Sequence, residues 1–252
     1  MTVEIGSGSD DRGVSDVVGY VLIFSLIVAT VGVVTVTGFS TLEDRQDAER
    51  VNNVERTFDV FANNMEDVYR GGAPSRATEM RLAGGELRYG EPTEITVRRS
   101  DDPNINRTAR VTPLVYADGD TEIVYEAGAV VRSDGDGGVM LRRPPLQFGT
   151  ERTLLPLVRT TRSTESTSVS LEDTIRVESA RTSIDTDVPS GLADPSADLE
   201  LEIDSERQEV WNRYLEETAQ AEEDWSYDDG TLTFDTERAS VPRFRIQLRF
   251  VR

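Results

Sequence analysis

The chain has 252 residues and carries 47 acidic side chains against 27 basic ones, a net charge of −20; every basic residue is Arg, and Lys, His and Cys are absent. Without Cys there is no disulfide, thiolate nucleophile or sulfur-ligated metal, and without His the usual general base and zinc ligand are missing. Catalysis is thereby confined to carboxylate, hydroxyl and guanidinium chemistry, and so negative a surface is a poor match for nucleic acid.

Along the chain, a polar leader, Met1 to Gly13, precedes the uncharged stretch Val17 to Phe39. At about 1.5 Å per helical residue this stretch covers roughly 34 Å, enough to cross a hydrocarbon core of about 30 Å. The following Ser40-Thr41-Leu42-Glu43-Asp44 offers no small-x-small site for ordinary signal cleavage, so the segment reads as a retained span. Within it Ser25, Ala29, Gly32 and Thr35 recur at spacings of four, three and three, a candidate helix-packing face because small side chains let helices approach. Arg12 flanks one end and Arg45, Arg50 and Arg56 follow the other, so the basic residues alone do not orient the span.

Next, Val51, Val54, Phe58, Phe61, Met65 and Val68 alternate three and four apart, the apolar stripe of an amphipathic helix that Gly71-Gly72 should stop. A helix continuous from Val17 to Arg70 would run roughly 80 Å. A membrane anchor followed by a separate juxtamembrane coiled coil has the same periodicity.

Residues 73–252 read as mostly β. Gly84-Gly85 separates "EMRL" from "ELRY", Asp118-Gly119-Asp120 separates "PLVYA" from "TEIVYEA", and "SDGDGG" (133–138) separates "AVVR" from "VMLRR"; close turns between short strands predict antiparallel hairpins. The fold class expected is α+β: a long N-terminal transmembrane and amphipathic helix, then a mostly antiparallel, sandwich-like head with one short helix near the C-terminus. Asp134 and Asp136 form a D-x-D pair, but without the later carboxylates of a calcium loop they read as a solvated turn. No catalytic, cofactor-binding or metal site is assigned; acidic runs such as Glu216-Glu217 and Glu222-Glu223-Asp224 read as solvated surface. Asn106-Arg107-Thr108 is an N-glycosylation sequon, which makes Asn106 the glycosylation candidate. The Ser/Thr tract 160–170 is a linker, an insertion loop or an edge strand. Leu199, Leu201 and Ile203 alternate with Glu200 and Glu202 as a half-buried strand, and a helix from about Glu206 to Glu217 should bury Val210, Trp211, Tyr214 and Leu215. In the final strand Phe244, Ile246, Leu248 and Phe250 form one face and Arg243, Arg245, Gln247 and Arg249 the other; the Arg row is expected to pair with Glu200 and Glu202, the alternative being an acidic neighbouring subunit.

The acidic, Lys-free composition resembles that of proteins from extreme halophiles. Arg12-Gly13 followed by Val14-Ser15-Asp16-Val17-Val18-Gly19 and the apolar run resembles the class III signal of haloarchaeal type IV pilins. Asp16 stands where those members usually have Pro, and Val17 and Val18 stand where bacterial pilins carry a Glu. The resemblance implies processing at Arg12, Gly13 and Val14, with a prepilin peptidase cutting between Gly13 and Val14. It divides the chain into a leader (1–13), a transmembrane plus amphipathic helix (14–72) and an extracellular β-rich head (73–252). The run "PLVY…IVYEAGAVVR…VMLRRPP" resembles an uncharacterised haloarchaeal family of membrane-tethered, pilin-like proteins. The function implied is a membrane-anchored, non-enzymatic minor or accessory pilin-like subunit of an archaeal surface filament, with adhesion as one use. Its partners would be the membrane, the prepilin peptidase and other pilin subunits. The alternative is an uncleaved single-span surface protein with a ligand-binding or envelope-contact head.

Overall fold

The computed structural model of the protein describes residues 10–82, 84–135, 137–163, 168–170, 174–193 and 197–251. Residues 1–9 of the expected leader, Asp136 of the D-x-D pair and residues 164–167 of the Ser/Thr tract lie outside them. The chain divides into two compact units between Asn52 and Asn53.

Helix α1 (Asp10–Tyr69) begins in the first unit. Its stretch Val17–Thr35 is long and apolar enough to cross a membrane, and none of it is buried by protein. Large apolar side chains such as Leu22, Phe24, Ile27 and Val33 are more than half exposed. Exposure of that many large apolar groups to water is unfavourable, whereas a lipid environment satisfies them.

The second unit opens with the last turns of α1. Val54, Phe58, Phe61, Met65 and Val68 are buried, as the three-and-four spacing predicts. The helix ends where Gly72 turns to a φ of 77°, with the Gly71 amide donating to the Glu66 carbonyl and the Ala73 amide to the Asp67 carbonyl.

The strands that follow are β1 (Ser75–Arg81), β2 (Glu86–Tyr89), β3 (Thr93–Arg99), β4 (Asn106–Val111), β5 (Leu114–Asp118), β6 (Thr121–Glu126), β7 (Ala129–Asp134), β8 (Gly137–Arg142), β9 (Thr153–Leu154), β10 (Leu157–Arg162), β11 (Ser168–Ser170) and β12 (Thr174–Asp185). A four-residue helix α2 (Ser190–Ala193) leads to β13 (Leu199–Asp204) and helix α3 (Gln208–Ala219). Strands β14 (Ser226–Asp228), β15 (Thr231–Phe234), β16 (Ala239–Ser240) and β17 (Arg243–Val251) complete the chain. Among the described residues they form sheets in the orders β1-β12-β17-β10, β11-β2-β5-β6-β7-β8 and β14-β15-β13-β3-β4, plus the pair β16-β9. All pairings are antiparallel except β10 with β17 and β16 with β9, so the fold is the expected α+β class with mostly antiparallel sheets.

Two of the three expected hairpins form. Strands β5 and β6 meet across Gly119, and β7 and β8 meet across Gly135, both glycines at positive φ. The third does not: β1 pairs with β12 while β2 pairs with β5 and β11, so "EMRL" and "ELRY" belong to different sheets. The chain still turns here, the Gly85 amide donating to the Leu82 carbonyl at 2.9 Å, while Tyr116 lays its ring against Gly85 and donates its hydroxyl to the same carbonyl at 2.9 Å. A Cβ on Gly85 would lie 2.4 Å from that ring. Gly85→Ala is therefore expected to destabilise the protein by about 1–3 kcal/mol in urea or thermal unfolding. Gly137→Ala, whose nearest neighbour is 3.9 Å away, serves as the open-space control, and equal losses from the two would refute the steric account.

The amphipathic end of α1 packs among these sheets. Phe61 meets Tyr125 edge-on at 5.0 Å between ring centroids, and Tyr69 lies 5.7 Å from Phe244. Around the rim, Arg142 reaches Asp59, Asn63 and Glu66 on successive turns, and Arg132 bonds Glu55. Helix α3 covers the five-stranded sheet: Trp211, Tyr214 and Leu215 join Leu199, Leu201, Ile203, Leu232 and Phe234 in one core. The turn that leads into it is held by two reciprocal bonds, the Ser205 hydroxyl accepting from the Arg207 amide and the Gln208 side chain accepting from the Ser205 amide.

Candidate functional site

The residues singled out in the sequence lie in both units. Arg12, Gly13 and Val14 fall within α1. Ser25, Ala29, Gly32 and Thr35 are exposed and follow one face of the same helix. Gly32 has open space where a side chain would project, and the Thr35 hydroxyl donates to the Val31 carbonyl at 2.8 Å, which keeps the hydroxyl satisfied within the helix. This face therefore presents small groups with little polar cost, the chemistry that close helix packing in lipid requires. Asn106 opens β4 in the second unit, exposed, its side-chain amide donating to the Pro103 carbonyl at 2.8 Å. Asp134 is held by Arg132 at 2.8 Å and accepts from the Thr121 hydroxyl; the Arg132 hydrogen bond draws its carboxyl below the usual range.

The pairing expected between β17 and the glutamates of β13 is corrected. Strands β13 and β17 belong to different sheets. Glu200 stands opposite Arg98 of β3, which bonds both Glu200 (2.7 Å) and Glu202 (2.6 Å). The arginines of β17 face β12 and β10 instead: Arg249 bonds Glu178 and Arg243 bonds Asp185, each at 2.5 Å, while Arg245 stands opposite Arg159. Hydrogen bonds from Arg243 and then Arg107 bring the Asp185 carboxyl down to about 2. The alternation was legible; the partner was not, because period-two patterning assigns faces and leaves neighbouring strands open.

Sequence reading also missed a buried polar centre. Hairpin β6–β7 turns through Ala127 (φ 52°) and Gly128 (φ 90°), a tight turn with both central residues left-handed. The turn leaves Glu126 fully buried at the end of β6. Its carboxylate accepts from the Thr93 hydroxyl at 2.9 Å, the Ser205 hydroxyl at 3.0 Å, the Arg207 Nε at 3.2 Å and the Trp211 indole. A carboxylate has about four acceptor positions, so these donors fill it. Glu126 thus ties β3, β6 and the start of α3 together. The signal available in the sequence was a carboxylate inside the apolar run "IVYEAGAVV", together with the Ser205-to-Gln208 capping pattern.

The profile of a family described as a family of unknown function (DUF7289) matches residues 12–249, nearly the whole chain. No curated protein and no solved structure matches it.

Proposed function

We propose that this chain, which belongs to the DUF7289 family, is a membrane-anchored, pilin-like accessory subunit of a haloarchaeal cell surface. The observation that carries the reading is the division of labour within α1. Val17–Thr35 exposes apolar and small groups and the ring of Tyr20, with no charge among them, and the later turns of the same helix supply Phe58, Phe61, Met65 and Val68 to the core of the β-rich unit. In this reading the span sits in the bilayer, and the Ser25, Ala29, Gly32 and Thr35 face meets other pilin subunits. The head lies outside the cell, where its acidic surface stays hydrated in concentrated salt. A prepilin peptidase removes residues 1–13, and Asn106, exposed beyond the membrane, carries a glycan. The head acts by contact rather than catalysis: its most buried carboxylate is saturated by donors, and Glu216, Glu222, Glu223 and Asp224 are solvent-exposed.

The test is the N-terminus of protein recovered from native membranes. Mass spectrometry is expected to find a start at Val14, and to find residues 1–13 retained in a strain lacking the prepilin peptidase. Retention of residues 1–13 in the wild-type strain would sink the pilin-like reading and leave an uncleaved single-span surface protein.

A further inference from the structure

On one face of the β10-β17-β12 sheet, Arg159, Arg243 and Arg245 gather around a single carboxylate, Asp185. Arg159 stands directly opposite Arg245 in parallel register, and across β17 Arg245 pairs with Ser183 and Arg243 with Asp185. Like charges directly opposed on a sheet are destabilising. Arg159, Arg243 and Arg245 line a cavity of about 100 Å³ with Thr108 and Phe244, room for a small ion and some of its water. The one carboxylate in its wall, Asp185, is already shared by Arg243 at 2.5 Å and Arg107 at 2.9 Å. The Arg159 Nε is buried and has no hydrogen-bond partner among the described residues. Burial, then the Arg245 and Arg243 charges, push Arg159 below its ordinary value. Arg98, Arg132 and Arg142, by contrast, each bond two carboxylates. In a chain where acids outnumber bases 47 to 27, an arginine group with a surplus of charge needs its own explanation.

We infer that this cavity binds one oxyanion group, a phosphate or a carboxylate, between the guanidinium groups of Arg159 and Arg245. A guanidinium presents paired N–H donors that match such oxygens, and the ligand's charge relieves the Arg159–Arg245 repulsion. Arg243, pinned by Asp185, sets the far wall. The site does not depend on membrane anchoring or leader cleavage.

The test uses the full chain in detergent, titrated with inorganic phosphate and separately with acetate, against chloride at matched ionic strength, by calorimetry and thermal unfolding. One equivalent of either probe is expected to bind and to raise the unfolding temperature with concentration. Arg159→Met and Arg245→Gln should each weaken binding by roughly tenfold or more, the effect of losing a charged hydrogen bond. Arg98→Gln, in another sheet, should leave binding unchanged. Arg245 is exposed, so Arg245→Gln decides the matter should Arg159→Met fold poorly. Sedimentation identifies the source of the oxyanion: a free ion binds a monomer, whereas an acidic side chain from a second copy gives self-association that phosphate disperses and both variants abolish. The inference is overturned if neither probe binds beyond the chloride control and neither phosphate nor the variants change the chain's sedimentation, or if binding persists in both variants.

Discussion

Glu126→Ala should lower stability by about 3 kcal/mol, because it removes the one fully buried carboxylate that meets the Arg207 guanidinium, itself only 5% exposed, and leaves it the longer contacts to Glu122 (3.6 Å) and Glu206 (3.5 Å). The hydroxyls of Thr93 and Ser205 and the indole of Trp211 lose their acceptor at the same time, and each buried donor left unmade adds to the loss. The measurement is denaturant unfolding of the full chain in high salt, followed by tryptophan fluorescence, since Trp211 reports directly on the site. A double variant, Glu126→Gln with Arg207→Met, separates two accounts of this centre. If the cost of Glu126→Ala comes from stranding a charge, removing both charges should recover a large part of it. If the double variant is as unstable as Glu126→Ala, the carboxylate matters for its neutral hydrogen bonds and the ion pair is incidental.

Phe61→Ala is the second large effect, expected at about 3–5 kcal/mol. Phe61 is fully buried and packs edge-on against Tyr125, also fully buried, so truncation leaves a cavity bordered by a ring that cannot follow it. Val60, one position away and half exposed, is the internal comparison: Val60→Ala should change stability by less than about 1 kcal/mol. Similar losses at the two positions would mean that the stripe on α1 is not what joins this helix to the β-rich unit. The outcome bears on function because, in the pilin-like reading, this packing transmits any load between anchor and head.

The legible parts of the molecule were those in which local pattern and final environment agree. Val54, Phe58, Phe61, Met65 and Val68 are buried because a helix places residues three and four apart on one side, whatever lies opposite. Leu199, Leu201 and Ile203 face the core, and Val210, Trp211, Tyr214 and Leu215 are buried on α3, for the same kind of reason. The hairpins at Gly119 and Gly135 follow from short polar turns whose glycines take positive φ. The expected hairpin at Gly84-Gly85 fails although its punctuation is just as strong: the turn closes between Gly85 and Leu82, but the strands on either side of it join different sheets, and Gly85 also admits the close approach of the Tyr116 ring.

The candidate sites divide in the same way. The apolar span and its face of small residues are properties of one helix and were visible without any partner. The Glu126 centre draws on Thr93, Ser205, Arg207 and Trp211, which β3, α3 and the turn before α3 bring to one carboxylate on β6. The arginine cavity unites β4, β10, β12 and β17. By itself the sequence determined the apolar helix, the amphipathic continuation, the β-rich class and the apolar faces of β13 and β17, since periodicity and composition act over a few residues. Tertiary structure alone decided which strands are neighbours, and so whether Arg98 or the β17 arginines meet Glu200 and Glu202, because charge pairing depends on distances of a few ångströms between segments far apart in the chain.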